Sequence, residues 1–231
     1  RDGVDFVKVP LNGVRNGVGF CDVSTLGKFE LVGPDAVTFL ERVYVNRWST
    51  LQVGRCRYGL MLREDGIVFD DGTTTRIGDQ HYVMTTTTAQ APLLARRLDY
   101  YHRVYWPNLD LQIVNVTDQW AAIALAGPHS RAVLAKLVGP GGADSAALPY
   151  MGFRETLFDG IPLRIHRISF SGDLAYEIYI PAAYGSSLWD CLMELGAEYG
   201  ITPYGIDALN ALRIEKGHVA GGELDGRVTP D

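Results

Sequence analysis

The chain has 231 residues, 47% of them apolar and 21% charged, with a net charge of −6. That length and balance suit a soluble globular protein of one large domain or two small ones, and the acidic surplus excludes a protein built to neutralise nucleic-acid phosphates. Apolar runs last only a few residues, far short of the roughly 20 that a membrane span needs, so a membrane is not an expected partner either.

The chain begins at Arg1 without a signal-peptide pattern and stops at Asp231 just past a glycine-rich stretch, so it reads as a piece of a longer protein. Cys21, Cys56 and Cys191 are odd in number, far apart and free of any C-x-x-C spacing. They are expected to be reduced thiols of a cytoplasmic protein rather than metal ligands or a disulfide frame.

Residues 28–43 read as a strand carrying Phe29 and Leu31, then Gly33-Pro34-Asp35-Ala36, then a helix with Ala36, Val37, Phe39, Leu40 and Val43 on its apolar side. Residues 121–138 repeat the plan: Ile123 and Leu125, then Gly127-Pro128-His129-Ser130, then Ala132, Val133, Leu134, Leu137 and Val138. In both, glycine can cap and proline suits the first helical position, where its missing N–H costs nothing. The echo predicts two similar lobes, with chance use of Gly-Pro as the alternative.

Between the two echoes, residues 58–76 form a strand, the polar turn 63–66 and a second strand. The second is apolar through Ile67, Val68 and Phe69 until it meets Asp70 and Asp71. Neighbours on a strand face opposite ways, so one of these acids is expected to point inward, where it needs a donor or a ligand. The alternative is an exposed strand end turning at Gly72. Residues 81–87 form a strand rich in β-branched residues that leads into a helix near 89–103; 111–117 and 119–126 are strands.

The Gly/Ala/Ser-rich stretch 139–147 reads as an exposed loop. Residues 163–169 and 175–180 read as a hairpin turning at Ser171-Gly172-Asp173. Helices follow at 184–198, with Leu188, Cys191, Leu192 and Leu195 on one face, and at 205–216, with Ile206, Ala208, Leu209 and Leu212 inward. Helices and strands mix without regular β-α-β spacing, so the fold class is α+β with antiparallel sheets.

Glu177 shares a strand face with Ala175 and Tyr179. It is either a solvent-facing acid or a carboxylate that accepts two hydrogen bonds from an aminopyrimidine-like edge. Arg213, Glu215, Lys216 and His218 end the last helix, where basic groups suit the dipole. The five histidines have no metal spacing, and no phosphate loop, dinucleotide fingerprint or nucleophile elbow occurs.

Several motifs in register resemble the aminomethyltransferase (glycine cleavage T-protein) superfamily. They are Asp22-Val23-Ser24-Thr25-Leu26-Gly27-Lys28 with Gly33-Pro34-Asp35-Ala36; Gly66-Ile67-Val68-Phe69-Asp70-Asp71; Tyr82-Val83-Met84-Thr85-Thr86; Ser171-Gly172-Asp173-Leu174-Ala175-Tyr176-Glu177-Ile178; and Leu212-Arg213-Ile214-Glu215-Lys216-Gly217. Within that superfamily they are most similar to the folate-binding C-terminal region of sarcosine oxidase alpha subunits. The resemblance spans nearly the whole chain.

It implies a ring-like folate fold of two lobes with a central pocket for tetrahydrofolate. By resemblance Asp70 is the catalytic aspartate beside the folate nitrogens, Glu177 grips the pterin, and Leu26, Tyr58, Thr85 and Phe170 line the pocket. The implied reaction captures the one-carbon unit of an oxidised N-methyl amine as 5,10-methylenetetrahydrofolate. FAD, FMN and NAD would be held elsewhere, in the rest of the chain and in other oxidase subunits.

The chain also departs from the patterns it resembles. Leu209 stands where the glycine cleavage enzyme has an arginine for its protein-bound substrate, and His218 where iron–sulfur repair proteins have a cysteine. The family's C-terminal barrel domain is not within these residues. A free-standing aminomethyltransferase or demethylase, and a non-catalytic scaffold, are the alternative expectations.

Overall fold

The computed structural model describes residues 7–220 and Glu223. The chain divides into two compact units, one of Arg1–Ser24 and Asp118–His218 (unit 1), the other of Thr25–Thr117 and Val219–Asp231 (unit 2). It opens in unit 1 with α1 (Lys8–Asn16) and β1 (Gly19–Asp22). Unit 2 follows with β2 (Gly27–Val32), α2 (Ala36–Val43), β3 (Arg55–Leu62), β4 (Val68–Gly78), β5 (His81–Thr86), α3 (Ala91–Tyr100) and β6 (Gln112–Asn115). The chain then returns to unit 1 with β7 (Trp120–Ala126), α4 (Ser130–Val138), α5 (Pro140–Ala143), β8 (Phe153–Phe158) and β9 (Ile161–His166), and completes it with β10 (Ala175–Pro181), α6 (Gly185–Gly196), β11 (Thr202–Pro203) and α7 (Ile206–Lys216). The α+β class with antiparallel sheets holds; among the described residues only the short β1–β11 pair is parallel.

Unit 2 is a five-stranded sheet in the order β3-β4-β5-β2-β6. Phe29 and Leu31 of β2, Met84 of β5 and Met61 of β3 meet Phe39 and Leu40 of α2 and Leu94 and Leu98 of α3 in one buried cluster. Spacings of two along the strands and three or four along the helices put these residues on the shared face. Trp48, fully buried, closes this core against Tyr44, ring centroids 5.2 Å apart. The helix expected near 89–103 is α3, continued by a π-helical turn over Tyr101–Tyr105.

Unit 1 is a six-stranded sheet in the order β11-β1-β7-β10-β9-β8. Phe20, Ile123, Leu125, Tyr176, Ile178 and Ile180 join Val133, Leu134 and Leu137 of α4 and Leu188 and Leu192 of α6 in its main core. On the other face, Cys21, Ala126 and Ala175 pack with Ala208 and Leu212 of α7. The stretch 139–147 is not a plain loop: α5 interrupts it, and Gly142 and Ala143 are buried.

Each unit carries one strand–Gly-Pro–helix segment, but proline does not open the helix. Ala36 N donates to Gly33 O at 3.1 Å, and Ser130 N to Gly127 O at 3.0 Å. Pro34 and Pro128 therefore sit second in a tight turn, a position that fixes their φ usefully. Both glycines have positive φ (143° and 121°), which L-residues resist. The two segments are local equivalents, built alike because the same turn chemistry joins strand to helix. No helix among the described residues is long and apolar enough to cross a membrane.

Candidate functional site

Asp70 lies on β4, where Met61 pairs with Asp70 and Leu62 with Val68, so Phe69 is an extra residue in a bulge. A bulge bends its strand and re-aims the side chains beside it. Asp70 turns inward and is only 3% exposed. Thr86 and Thr87 supply three of its donors. Thr86 Oγ1 donates to Oδ2; Thr87 Oγ1 donates to Oδ1 at 2.7 Å and Thr87 N to the same oxygen at 3.4 Å. Gly27 makes room for this clamp. A Cβ there would lie 2.3 Å from Thr86 Cγ2, so the Thr86 methyl rests on the glycine.

Burial is the dominant influence on Asp70. It pushes the carboxyl up to about 7, the Asp71 charge adds to the rise, and the Thr87 and Asp71 donors oppose it. A carboxyl poised there can hold or release a proton near neutral pH. Asp71 faces the other way. Its Oδ2 accepts from Tyr58 Oη at 2.8 Å, while Oδ1 is buried without a partner among the described residues. Burial and the Asp71 bond raise the Tyr58 phenol above its ordinary range, and burial raises Tyr44, so both remain donors at neutral pH.

The expected pocket residues of unit 2 take definite places. Tyr58 is 44% exposed on β3. Thr85 Oγ1 bridges Thr73, 3.2 Å from both its N and its O. Leu26 is half-buried, and its carbonyl accepts from Lys28 Nζ at 2.9 Å. Lys28 is itself buried, reaching Thr117 O at 3.4 Å as well.

In unit 1, Glu177 is half-buried on β10, directly opposite Ala124 of β7 and His166 of β9. Tyr179 Oη donates to Glu177 Oε2 at 2.6 Å. The Tyr179 ring meets His166 edge-on, centroids 4.9 Å apart. Burial pushes His166 down to about 3, helped by Arg164, so it is neutral beside the glutamate. Phe170 precedes β10. It stacks on His218, and its carbonyl accepts from His218 Nδ1 at 3.0 Å. The hairpin expected at Ser171-Gly172-Asp173 does join antiparallel neighbours, β9 and β10.

Thr86 and Thr87 were not singled out by the sequence; the unbroken threonine run 85–88 after a strand was the available signal. No group of His, Cys, Asp and Glu able to hold a metal ion occurs among the described residues.

The raised Asp70 pKa has a consequence for stability. The folded chain keeps this proton to about pH 7, whereas the ordinary carboxyl loses it near 3.8. The folded state therefore binds more protons across that window. Stability falls as pH rises through it, and the cost is complete above the folded pKa. Asp70→Asn should raise the thermal midpoint more at about pH 8 than at about pH 5. Equal shifts at both values would show that the carboxyl does not pay this desolvation penalty.

A family model described as the GCVT N-terminal domain matches residues 4–231. The sarcosine oxidase subunit alpha of Rhizobium meliloti (strain 1021) is 49% identical over 94% of this chain, and that of Corynebacterium sp. (strain P-1) 46% over the same share. The chain covers 22% and 23% of those two proteins. An aminomethyltransferase of Bacillus mycoides (strain KBAB4) is 33% identical over 97% of this chain, which covers 60% of it. Among solved structures, the glycine cleavage system aminomethyltransferase T from Bartonella henselae superposes with a TM-score of 0.80 at 24% identity, over 93% of this chain and 55% of that one.

Proposed function

The chain belongs to the GCVT N-terminal domain family, and from that premise we propose that it is the folate-handling, one-carbon-transfer domain of a sarcosine oxidase-type alpha subunit. The observation that carries this is Asp70. A carboxyl held by two threonines, almost fully buried and shifted toward neutral pH, is a built acid–base group rather than a strand end. Identities of 45–49% to sarcosine oxidase alpha subunits, against 32–33% to aminomethyltransferases, favour the oxidase assignment within the family. Leu209, where glycine cleavage enzymes have an arginine, agrees with it.

Tetrahydrofolate would supply the two nitrogens that take up a one-carbon unit from an oxidised N-methyl amine, with 5,10-methylenetetrahydrofolate as product. The chain's own residues do the rest. Glu177 offers an acceptor-only fork to the N–H edge of a pterin, and Tyr179 fixes one of its oxygens so that the fork has one orientation. Neutral His166 beside it adds no competing positive charge. Asp70 accepts or returns a proton and, when ionised, stabilises positive charge near it. Leu26, Tyr58, Thr85 and Phe170 are the proposed lining. Flavin and nicotinamide chemistry, and association with other oxidase subunits, belong to the longer protein in this proposal.

Calorimetric titration of the full-length protein with tetrahydrofolate tests the assignment. Binding is expected, and Glu177→Gln should weaken it by roughly 10–100-fold, the loss of one charge-assisted hydrogen bond. Equal affinity in the variant would remove Glu177 from recognition, and no binding by the wild type would leave a scaffold that keeps only the fold.

A further inference from the structure

We propose that Arg97, on α3, is a positioning residue for Asp70: it grips the bulge that aims this carboxyl inward. The proposal rests on the acid–base role given to Asp70 above and adds to it a residue that acts through the strand.

The bulge needs a hold from outside the ladder. Phe69 has no partner across it, since Met61 faces Asp70 and Leu62 faces Val68. A residue left out of the ladder lacks the pairing that fixes its neighbours, and Asp70 is the next residue along. Any play at Phe69 therefore reaches the carboxyl first. Arg97 touches this irregular place at three points. Its guanidinium carbon lies over the Phe69 ring of β4, 4.4 Å from the centroid. Its Nη2 donates to the Leu62 carbonyl of β3 at 3.4 Å, level with the bulge. The same nitrogen donates to Glu64 Oε1 at 3.1 Å, in the turn that joins the two strands.

Arg97 is itself held. Tyr101 stands four residues on, a spacing that shares a helix face. Arg97 Nε donates to Tyr101 Oη at 2.7 Å, and Oη donates to Glu64 Oε1 at 3.4 Å. The Tyr101 ring lies 5.2 Å from the guanidinium carbon and rests on Trp106, centroids 5.4 Å apart. The π-helical turn supports this contact, because Trp106 N donates to Tyr101 O at 2.9 Å, five residues back. The rings matter more here than the ion pair. The Glu64 side chain is 85% exposed, so its pair with Arg97 is screened and contributes little, whereas the Arg97 side chain is 17% exposed. It lies over two aromatic faces, a place that suits a flat guanidinium and not an ammonium.

The groups around Asp70 show how the effect must travel. Asp71 follows it on β4, Thr86 and Thr87 meet it from β5, and the phenols of Tyr44, after α2, and Tyr58, on β3, are near it. None of these is a cation. Arg97 thus acts on the acid through the backbone of the bulge rather than by its charge.

The test uses the full-length protein and two readouts. The first is one-carbon transfer to tetrahydrofolate. Arg97→Ala keeps a good helix former in α3 and should lower kcat by about 10-fold while KM for tetrahydrofolate stays within about twofold, the mark of a misplaced group rather than lost binding. The limb of the pH–rate profile near 7 should move toward the ordinary carboxyl range as water reaches Asp70. Unchanged kcat and an unmoved limb, or a raised KM with kcat intact, would overturn the proposal. Arg97→Lys should recover less than about half of the loss; full recovery would make charge sufficient and overturn the stack. Phe69→Leu should act in the same direction, and the double variant should be no slower than Arg97→Ala. Losses that multiply would overturn the route through Phe69.

The second readout needs no folate. The extra rise in thermal midpoint that Asp70→Asn gives at about pH 8 over about pH 5 should shrink by about half or more in the Arg97→Ala background, because a solvated Asp70 titrates alike in the folded and unfolded chain. An undiminished difference would overturn the positioning role whatever happens to folate coupling. If the wild type couples no folate, the folate assignment fails, and this readout still decides whether Arg97 sets Asp70.

Discussion

On the proposed function, Asp70→Asn in the full-length protein is expected to cut one-carbon transfer to tetrahydrofolate by about 10²–10⁴-fold, the range that a positioned acid–base group contributes. Asparagine keeps the shape and one acceptor, so Thr87 can still donate to an oxygen while the amide N–H donates to the Thr86 hydroxyl, which turns from donor to acceptor. What it cannot do is exchange a proton or carry negative charge. Folate binding should therefore persist, as should the amine oxidation that the proposal assigns to the rest of the longer protein, with formaldehyde released in place of methylenetetrahydrofolate. The pH–rate profile of folate coupling should lose its limb near pH 7, where the Asp70 carboxyl titrates. Undiminished coupling in the variant would remove Asp70 from the chemistry. The stabilisation expected of the same substitution above neutral pH makes the two effects opposite in sign: a more stable, less active protein.

Gly72→Ala should be the most damaging small substitution in unit 2. A Cβ at Gly72 would stand 2.0 Å from the Thr85 carbonyl oxygen and 2.8 Å from its carbon. Both are backbone atoms, so no side chain can swing aside. Relief requires β4 and β5 to part where Thr85 bridges Thr73 and where Thr86 and Thr87 reach Asp70. A loss of about 3–5 kcal/mol is expected, at the severe end for a single substitution. Thermal or denaturant unfolding measures it. A change below about 1 kcal/mol would mean that the strands part easily, contrary to the close-packed crossing. The φ of Gly72 is not in the left-handed region, so the cost is steric rather than conformational.

Local patterns in the sequence anticipated much of this molecule. The helix expected to carry Ala36, Phe39, Leu40 and Val43 is α2, with all four buried. One acid of the Asp70–Asp71 pair does turn inward, as strand alternation requires. Periodicity could not reveal the bulge at Phe69, because a bulge is a property of the pairing with β3 and not of either strand alone. Nor could it reveal the threonine clamp, since Thr86 and Thr87 read only as β-branched residues suited to a strand.

The Gly-Pro segments marked the right places for the wrong reason. The signal was that of a stop before a helix, but the turn hydrogen bond lies one step earlier than a helical proline would put it. Nothing in the sequence around Lys28 marks it as buried. A lysine inside a sheet is rare enough that composition argues against it, and carbonyls brought near by the fold, those of Leu26 and Thr117 among them, help make it tolerable. The order of strands in either sheet, being set by contacts remote in sequence, was beyond local patterns altogether.

The place of β1 in the sheet has a consequence for the chain's birth. Gly19–Asp22 lies between β7 and β11, yet 93 residues of unit 2, Thr25–Thr117, separate it from the rest of its own sheet. On a ribosome the five strands of the inserted sheet are all available before β7 has emerged. The earlier ribbon, by contrast, must wait unpaired until its neighbours are made, with open edges that invite wrong partners. The early-made unit is the one that carries Asp70, so the acid can be set in its threonine clamp while the sheet that will bear Glu177 is still unfinished.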